Sequence, residues 1–307
     1  MNRYKRLPIE LLLFAIFFSG QPARAQTTYD LYFLGGQSNM DGFGKNGELP
    51  EHLVGHESRV MIFHGNPVPD DSSGGGRGIW AKLRPGHGYG FFSDGSVNHY
   101  SERFGVELTF AERMSELDPN ARIALIKYSR GGTSIDAAAA GPFGSWDEDY
   151  GGPDGVNQYD HFLATVRNAM AIEDIDGDGI RDQLVPAGIV WMQGESDAAH
   201  TVEIAERYQD NLAELVDLIR AAFRVDDLPV VIGRISDSGR DEDGKVWDHG
   251  GIVRAAQAAF VEEDGAAALV TTTDRYDYSD TWHYDSAGFL DLGRRFAEAL
   301  FRLRKSQ

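Results

Sequence analysis

The sequence has no cysteine, so no disulfide framework holds it together, and a chain of 307 residues is large enough to rely on a core instead. Basic charge is scarce. Lys and Arg total 29 against 48 Asp and Glu, for a formal charge of −19. Such a surface repels nucleic-acid phosphates and anionic membranes, which argues against both as partners. It suits neutral substrates, of which sugars are the obvious class. Long apolar runs are lacking too. The stretch Leu11–Phe18 is apolar but too short to span a bilayer as a retained helix. No apolar lid-like segment stands outside the expected core, which disfavours a lipase.

What is present begins with that short run. Arg3, Lys5 and Arg6 precede it, and Ala23-Arg24-Ala25 follows as a small-x-small cleavage signal. This is the pattern of a signal peptide over residues 1–25, leaving 26–307 as one exported domain in a bacterial periplasm or exterior. Once cleaved, the chain has no membrane partner. Its oligomeric state is not written in the sequence.

Past residue 26, short β-branched or aromatic runs recur at 29–36, 59–64, 122–129, 187–193, 229–235 and 267–273. Several are apolar on successive residues, the mark of strands covered on both faces. Between them, three- and four-residue apolar spacing predicts helices over 105–117, 159–170, 201–223, 251–263 and 286–304. Strands alternating with helices imply right-handed crossovers and a three-layer α/β/α sandwich around a parallel sheet. Two Gly- and Pro-rich stretches, 65–78 and 137–155, read as irregular loops. Trp80, Tyr89, Phe91, Phe92, Phe143 and Trp146 in and around them are candidates to stack on sugar faces, or else anchors that hold these loops to the domain.

In such sheets, chemistry gathers at the carboxyl ends of the strands. Four fragments fall there. Ser38 follows Gly35 and Gly36 at the end of the first strand. Gly131 and Gly132 follow 122–129 and offer bare backbone N–H groups. Gln193 ends 187–193 with a side-chain amide. His283 stands three residues after Asp280, just before the last helix, so that a carboxylate can orient one ring nitrogen while the other faces a serine.

The blocks "GGQSNMDG", "YSRGGTSI", "VWMQGESDA" and "DTWHYDSAGFLDLGRRFAEAL" together resemble those of SGNH-type (GDSL-like) hydrolases. The likeness is to the sialate O-acetylesterase-like group that includes the sixth family of carbohydrate esterases. The resemblance runs from Gly35 to Leu300 and implies a flavodoxin-like fold. It further implies Ser38 as nucleophile, His283 as general base and then acid, and Asp280 as the residue orienting His283. Glu195 is the alternative acid. The oxyanion donors would be the Ser38 N–H, an N–H of Gly131 or Gly132, and the Gln193 side chain. Arg130 is a candidate for positioning substrate.

No cofactor is needed for that acyl transfer. A separate stretch, "DIDGDGIRD", spaces Asp174, Asp176, Asp178 and Asp182 as in short extracellular calcium loops, although Val185 stands where a full EF-hand loop has its bidentate Glu. A structural Ca²⁺ is expected there. The expected activity is O-deacetylation of carbohydrate, acetylated xylan-type polysaccharide first and O-acetylated sialic acid second. The reading from another class is a non-catalytic, calcium-stabilised carbohydrate-binding protein, which would have no use for both Ser38 and His283.

Overall fold

The computed structural model describes residues 26–54, 59–69, 74–152 and 155–306; the expected signal peptide lies outside them. Leu31, Tyr32, Phe33 and Leu34 are each at most 1% exposed, so strand β1 (Thr28–Gly36) is buried on both faces. It pairs in parallel with β4 (Ile123–Ser129) on one side and β5 (Gln183–Met192) on the other. Beyond β4 lie β2 (Met61–His64) and then β3 (Trp80–Lys82). Beyond β5 lie β6 (Val230–Gly233) and β7 (Ala267–Val270). The sheet order is therefore β7-β6-β5-β1-β4-β2-β3, and only the edge strand β3 runs antiparallel.

Adjacent side chains on β1 show the layering. Tyr32 meets Phe110 of α2 (Glu107–Leu117) edge-on and Arg304 of α7 (Ser286–Ser306). Phe33 points the other way, onto Phe162 of α3 (Gln158–Met170) and Phe223 of α5 (Val202–Phe223). Strand periodicity sends neighbours to opposite faces, so one helical layer covers each. The one-turn helices α1 (Ser38–Asp41) and α4 (Glu195–Ala198) follow β1 and β5, and α6 (Gly250–Glu263) packs beside α5.

The mixed α/β architecture agrees with the sequence reading, with helix boundaries within two residues. Short α4 and the edge strand β3 were not anticipated, because neither is long enough to show a period. The loop 137–155 is less free than its Gly and Pro content suggests. Trp146 N donates to Ser134 O, Gln158 N to Ser145 O, and Gln158 Nε2 to Phe143 O. Trp146 itself is 1% exposed and meets Trp191 edge-on at 4.9 Å, so it is a core residue and no substrate wall. Phe91 is likewise buried, stacked on His64.

Candidate active site

The first block turns sharply at Gly36, whose φ is +142°. A side-chain carbon there would fall 2.0 Å from Met192 O, so only glycine lets β1 end beside β5. Gln37 fastens the turn: its N–H donates to Met192 O, and its Oε1 accepts from the Gly194 and Ser196 N–H groups. Ser38 then heads α1 at the carboxyl edge of the central strand.

At the end of α1, Asp41 accepts from Ser129 Oγ at 2.8 Å and from the Gly131 N–H at 3.3 Å. Burial raises the Asp41 carboxyl above its usual range, against the opposing pull of Lys127 and Ser129. Gly131 comes so close to the Ser38 turn that a carbon added to it would stand 3.1 Å from Ser38 Cβ. The second block is thus brought onto the first. Because the Gly131 N–H leans toward Asp41, Ser38 and Gly132 are the remaining backbone donors among those expected.

Gln193 departs from the expectation. It is wholly buried, and its Nε2 donates to Thr133 O at 3.1 Å and to Asp197 Oδ2 at 2.6 Å. With both amide hydrogens engaged, and Oε1 accepting from Tyr208 OH, Gln193 is a brace rather than an oxyanion donor in this geometry. Asp197, which sequence reasoning passed over, also accepts from the Ile135 and Asp136 N–H groups. Burial pushes it up to about 7 in spite of those donors.

The base loop is built around Asp280. Its Oδ1 accepts from the Trp282 and His283 N–H groups, and its Oδ2 lies 2.8 Å from His283 Nδ1. Partial burial would raise this carboxyl, but the His283 ring and the two N–H donors hold it below the usual range. The ring lies flat on Phe43, with centroids 3.5 Å apart and planes 4° from parallel. Since Phe43 closely follows α1 in the chain, this stack ties the His283 loop to the segment that carries Ser38.

Glu195, the other candidate acid, is 1% exposed and accepts from Asn39 Nδ2 at 2.8 Å. Burial raises its pKa, and the Asn39 bond opposes that rise. Of the two acids, Asp280 is the one hydrogen-bonded to His283.

Around this centre the exposed aromatics are Tyr89, stacked on Phe43 at 4.7 Å, Trp282, and Phe143. Arg130 lies over the Phe143 ring at 5.1 Å. Trp282 and Phe43 were not singled out from the sequence. Their signal was position alone, beside a catalytic block. Far from this edge, Asp174, Asp176 and Asp182 bring carboxylate oxygens within 4.8 Å of one another. Asp178 stands outside that group, its Oδ1 accepting from the Ile180 N–H.

A family model described as "Carbohydrate esterase, sialic acid-specific acetylesterase" matches residues 28–302. The chain belongs to this family. It is therefore a carboxylic ester hydrolase acting on acetyl groups of carbohydrate. Among solved structures, a protein from Arabidopsis thaliana superposes with a TM-score of 0.59 at 18% identity, over 91% of this chain and 99% of that one. A carbohydrate acetylesterase from Xanthomonas citri gives 0.58 at 17%, over 91% of this chain and 57% of that one. NanS gives 0.58 at 15%, over 92% of this chain and 99% of that one. At such identities the likeness is one of fold. No curated protein sequence matches.

Proposed function

We propose that the protein is an exported serine esterase that removes O-acetyl groups from neutral polysaccharide of the acetylated xylan type. The observation that carries the reading is the His283 ring, hydrogen-bonded to Asp280 on one side and stacked on Phe43 beside the Ser38 turn. In the mechanism, His283 takes the Ser38 proton and the hydroxyl oxygen attacks the acetyl carbonyl. The resulting oxyanion faces the Ser38 and Gly132 N–H groups. His283 returns the proton to the departing sugar oxygen. Water, activated by the same ring, then releases acetate from the serine.

The substrate preference is supported by two features. The chain is strongly acidic and has no long-range attraction for an anionic sugar. The exposed rings of Tyr89, Trp282 and Phe143 offer apolar faces suited to neutral pyranoses. A second reading, sialate O-acetylesterase, is favoured by Arg130, a local cation beside Gly131 that matches a sugar carboxylate. Acetate release from acetylated xylan and from O-acetylated sialic acid, by wild type and Ser38→Ala, decides between them. Release from neither, or release that persists in Ser38→Ala, would overturn the proposal.

Calcium at the acidic turn is carried forward as a proposal of a structural ion. The carboxylates of Asp174, Asp176 and Asp182 converge there, and Asp182 is raised by burial and by its three aspartate neighbours.

A further inference from the structure

Asn39 follows the nucleophile directly and is 1% exposed. Its carboxamide reaches across to the base loop on both sides of His283. Asn39 Nδ2 donates to Trp282 O at 3.2 Å, and Asn39 Oδ1 accepts from the Tyr284 N–H at 3.4 Å. A carboxamide can satisfy a carbonyl and an N–H together in one orientation only. Turned over, it would set oxygen against oxygen at Trp282 and N–H against N–H at Tyr284.

Glu195 selects that orientation by accepting the second Nδ2 hydrogen on Oε1 at 2.8 Å. Its other oxygen, Oε2, is buried without a hydrogen-bond partner among the described residues, so the acid's one hydrogen bond to a neighbouring side chain is spent on Asn39. Other hydrogen bonds to this loop come from the segment after β6: Ser238 Oγ to Thr281 O, the Arg240 guanidinium to the carbonyls of Tyr278 and Asp280, and Ser236 Oγ with the Tyr278 and Tyr284 hydroxyls. Among these hydrogen bonds, those of Asn39 tie the loop to α1, beside the Phe43 stack on His283.

We propose that Asn39 and Glu195 are a positioning pair that fixes the distance between Ser38 and His283, Asn39 by clamping the main chain around the base and Glu195 by holding the Asn39 amide the right way round. This rests on the serine esterase reading above. It assigns Glu195 a role other than that of the triad acid.

The test is steady-state hydrolysis of a small aryl acetate by wild type, Ser38→Ala, Asn39→Asp, Glu195→Leu and Glu195→Gln, with melting temperatures and pH profiles recorded for each. Asn39→Asp puts an oxygen where Nδ2 donated. A misplaced base costs about 10²-fold, so kcat is expected to fall by that order while KM changes little. Glu195→Leu is expected to lower kcat as well. Glu195→Gln keeps an acceptor oxygen for Asn39 and should recover most of that loss with the wild-type pH profile. An undiminished kcat in folded Asn39→Asp would overturn the inference. So would Glu195→Gln failing as badly as Glu195→Leu, because an ionised carboxylate would then be what the site needs. If Asn39→Asp does not fold, the Glu195 pair decides alone by the same criterion. Loss of esterase activity in wild type, or full activity in Ser38→Ala, would remove the serine esterase reading and this inference with it.

Discussion

Lys127 Nζ lies 2.8 Å from Glu107 Oε2, and neither side chain reaches solvent. The ammonium also donates to the carbonyls of Asp41 and His87, and Glu107 Oε1 accepts from the Gly105 N–H. One buried cation thus ties the end of α1 to α2 and to the loop bearing His87. Removing one partner of such a pair strands the other charge. Glu107→Gln is expected to cost about 3–5 kcal/mol of stability, measured by urea unfolding, with part of it returned when Lys127→Met is added. A Glu107→Gln unfolding midpoint equal to wild type would refute this.

Asp280 Oδ2 faces His283 Nδ1 at 2.8 Å, and in the proposed mechanism it fixes both the orientation and the tautomer of the ring. Asp280→Asn can present an N–H there and leave the serine-facing nitrogen protonated. The expected loss in kcat is about 10⁴-fold, with modest change in KM for aryl acetate. A loss below roughly tenfold would hand the acid's role elsewhere.

Much of this site could be read before any coordinates, and the reason is local. Gly36 and Ser38 lie at a strand end, and Asp280 and His283 lie within one turn, so spacing alone carries their relation. Gln193 was misread because its amide hydrogens go to Asp197 and Thr133 and its oxygen accepts from Tyr208, partners that meet it only through tertiary packing. Trp146 stood open between stacking on sugar and anchoring its loop, and packing against Trp191, invisible in a Gly- and Pro-rich stretch, decides for the anchor. Asn39, Phe43 and Lys127 carry no periodic signal at all. Their roles depend on partners far away in the chain.

Asp197 sets a pH dependence whose sign can be worked out. Its pKa is near 7 in the fold, above the ordinary value of 3.8, because burial disfavours its charged form. A carboxyl raised on folding contributes stability that is full below the unfolded value and lost as pH climbs through the folded one. From pH 5.5 to 8.5 this group should remove about 2 kcal/mol, since each unit between the starting pH and 7 is about 1.36 kcal/mol. Urea midpoints at the two pH values should differ accordingly in wild type and differ less in Asp197→Asn. An equal difference in both proteins would reject the assignment.

The acidic turn makes a simpler forecast. Four aspartates in one short stretch repel one another, and the cation proposed above among Asp174, Asp176 and Asp182 would relieve that repulsion. Extracellular sites of this kind bind at about 10⁻⁴–10⁻³ M, so millimolar CaCl₂ should raise the melting temperature of wild type but not of Asp174→Asn/Asp176→Asn. A melting temperature and a calorimetric baseline both indifferent to calcium would discard the ion.

Trp282 separates polymer recognition from chemistry. It is 52% exposed, next to His283, and its backbone is already held by Asp280 and Asn39, so its indole is not what positions the base. Under the esterase reading proposed above, this ring is a face on which a sugar would stack. If so, Trp282→Ala removes a stacking contact worth about 0.5–1.5 kcal/mol, or roughly 2–13-fold in affinity. The rise in KM should be larger for acetylated xylan than for aryl acetate, which has no second sugar to place. The same comparison with Tyr89→Ala extends the test to the ring stacked on Phe43. Parallel rises on both substrates would mean that the indole supports the His283 loop after all, and the polymer would have to be held by other walls.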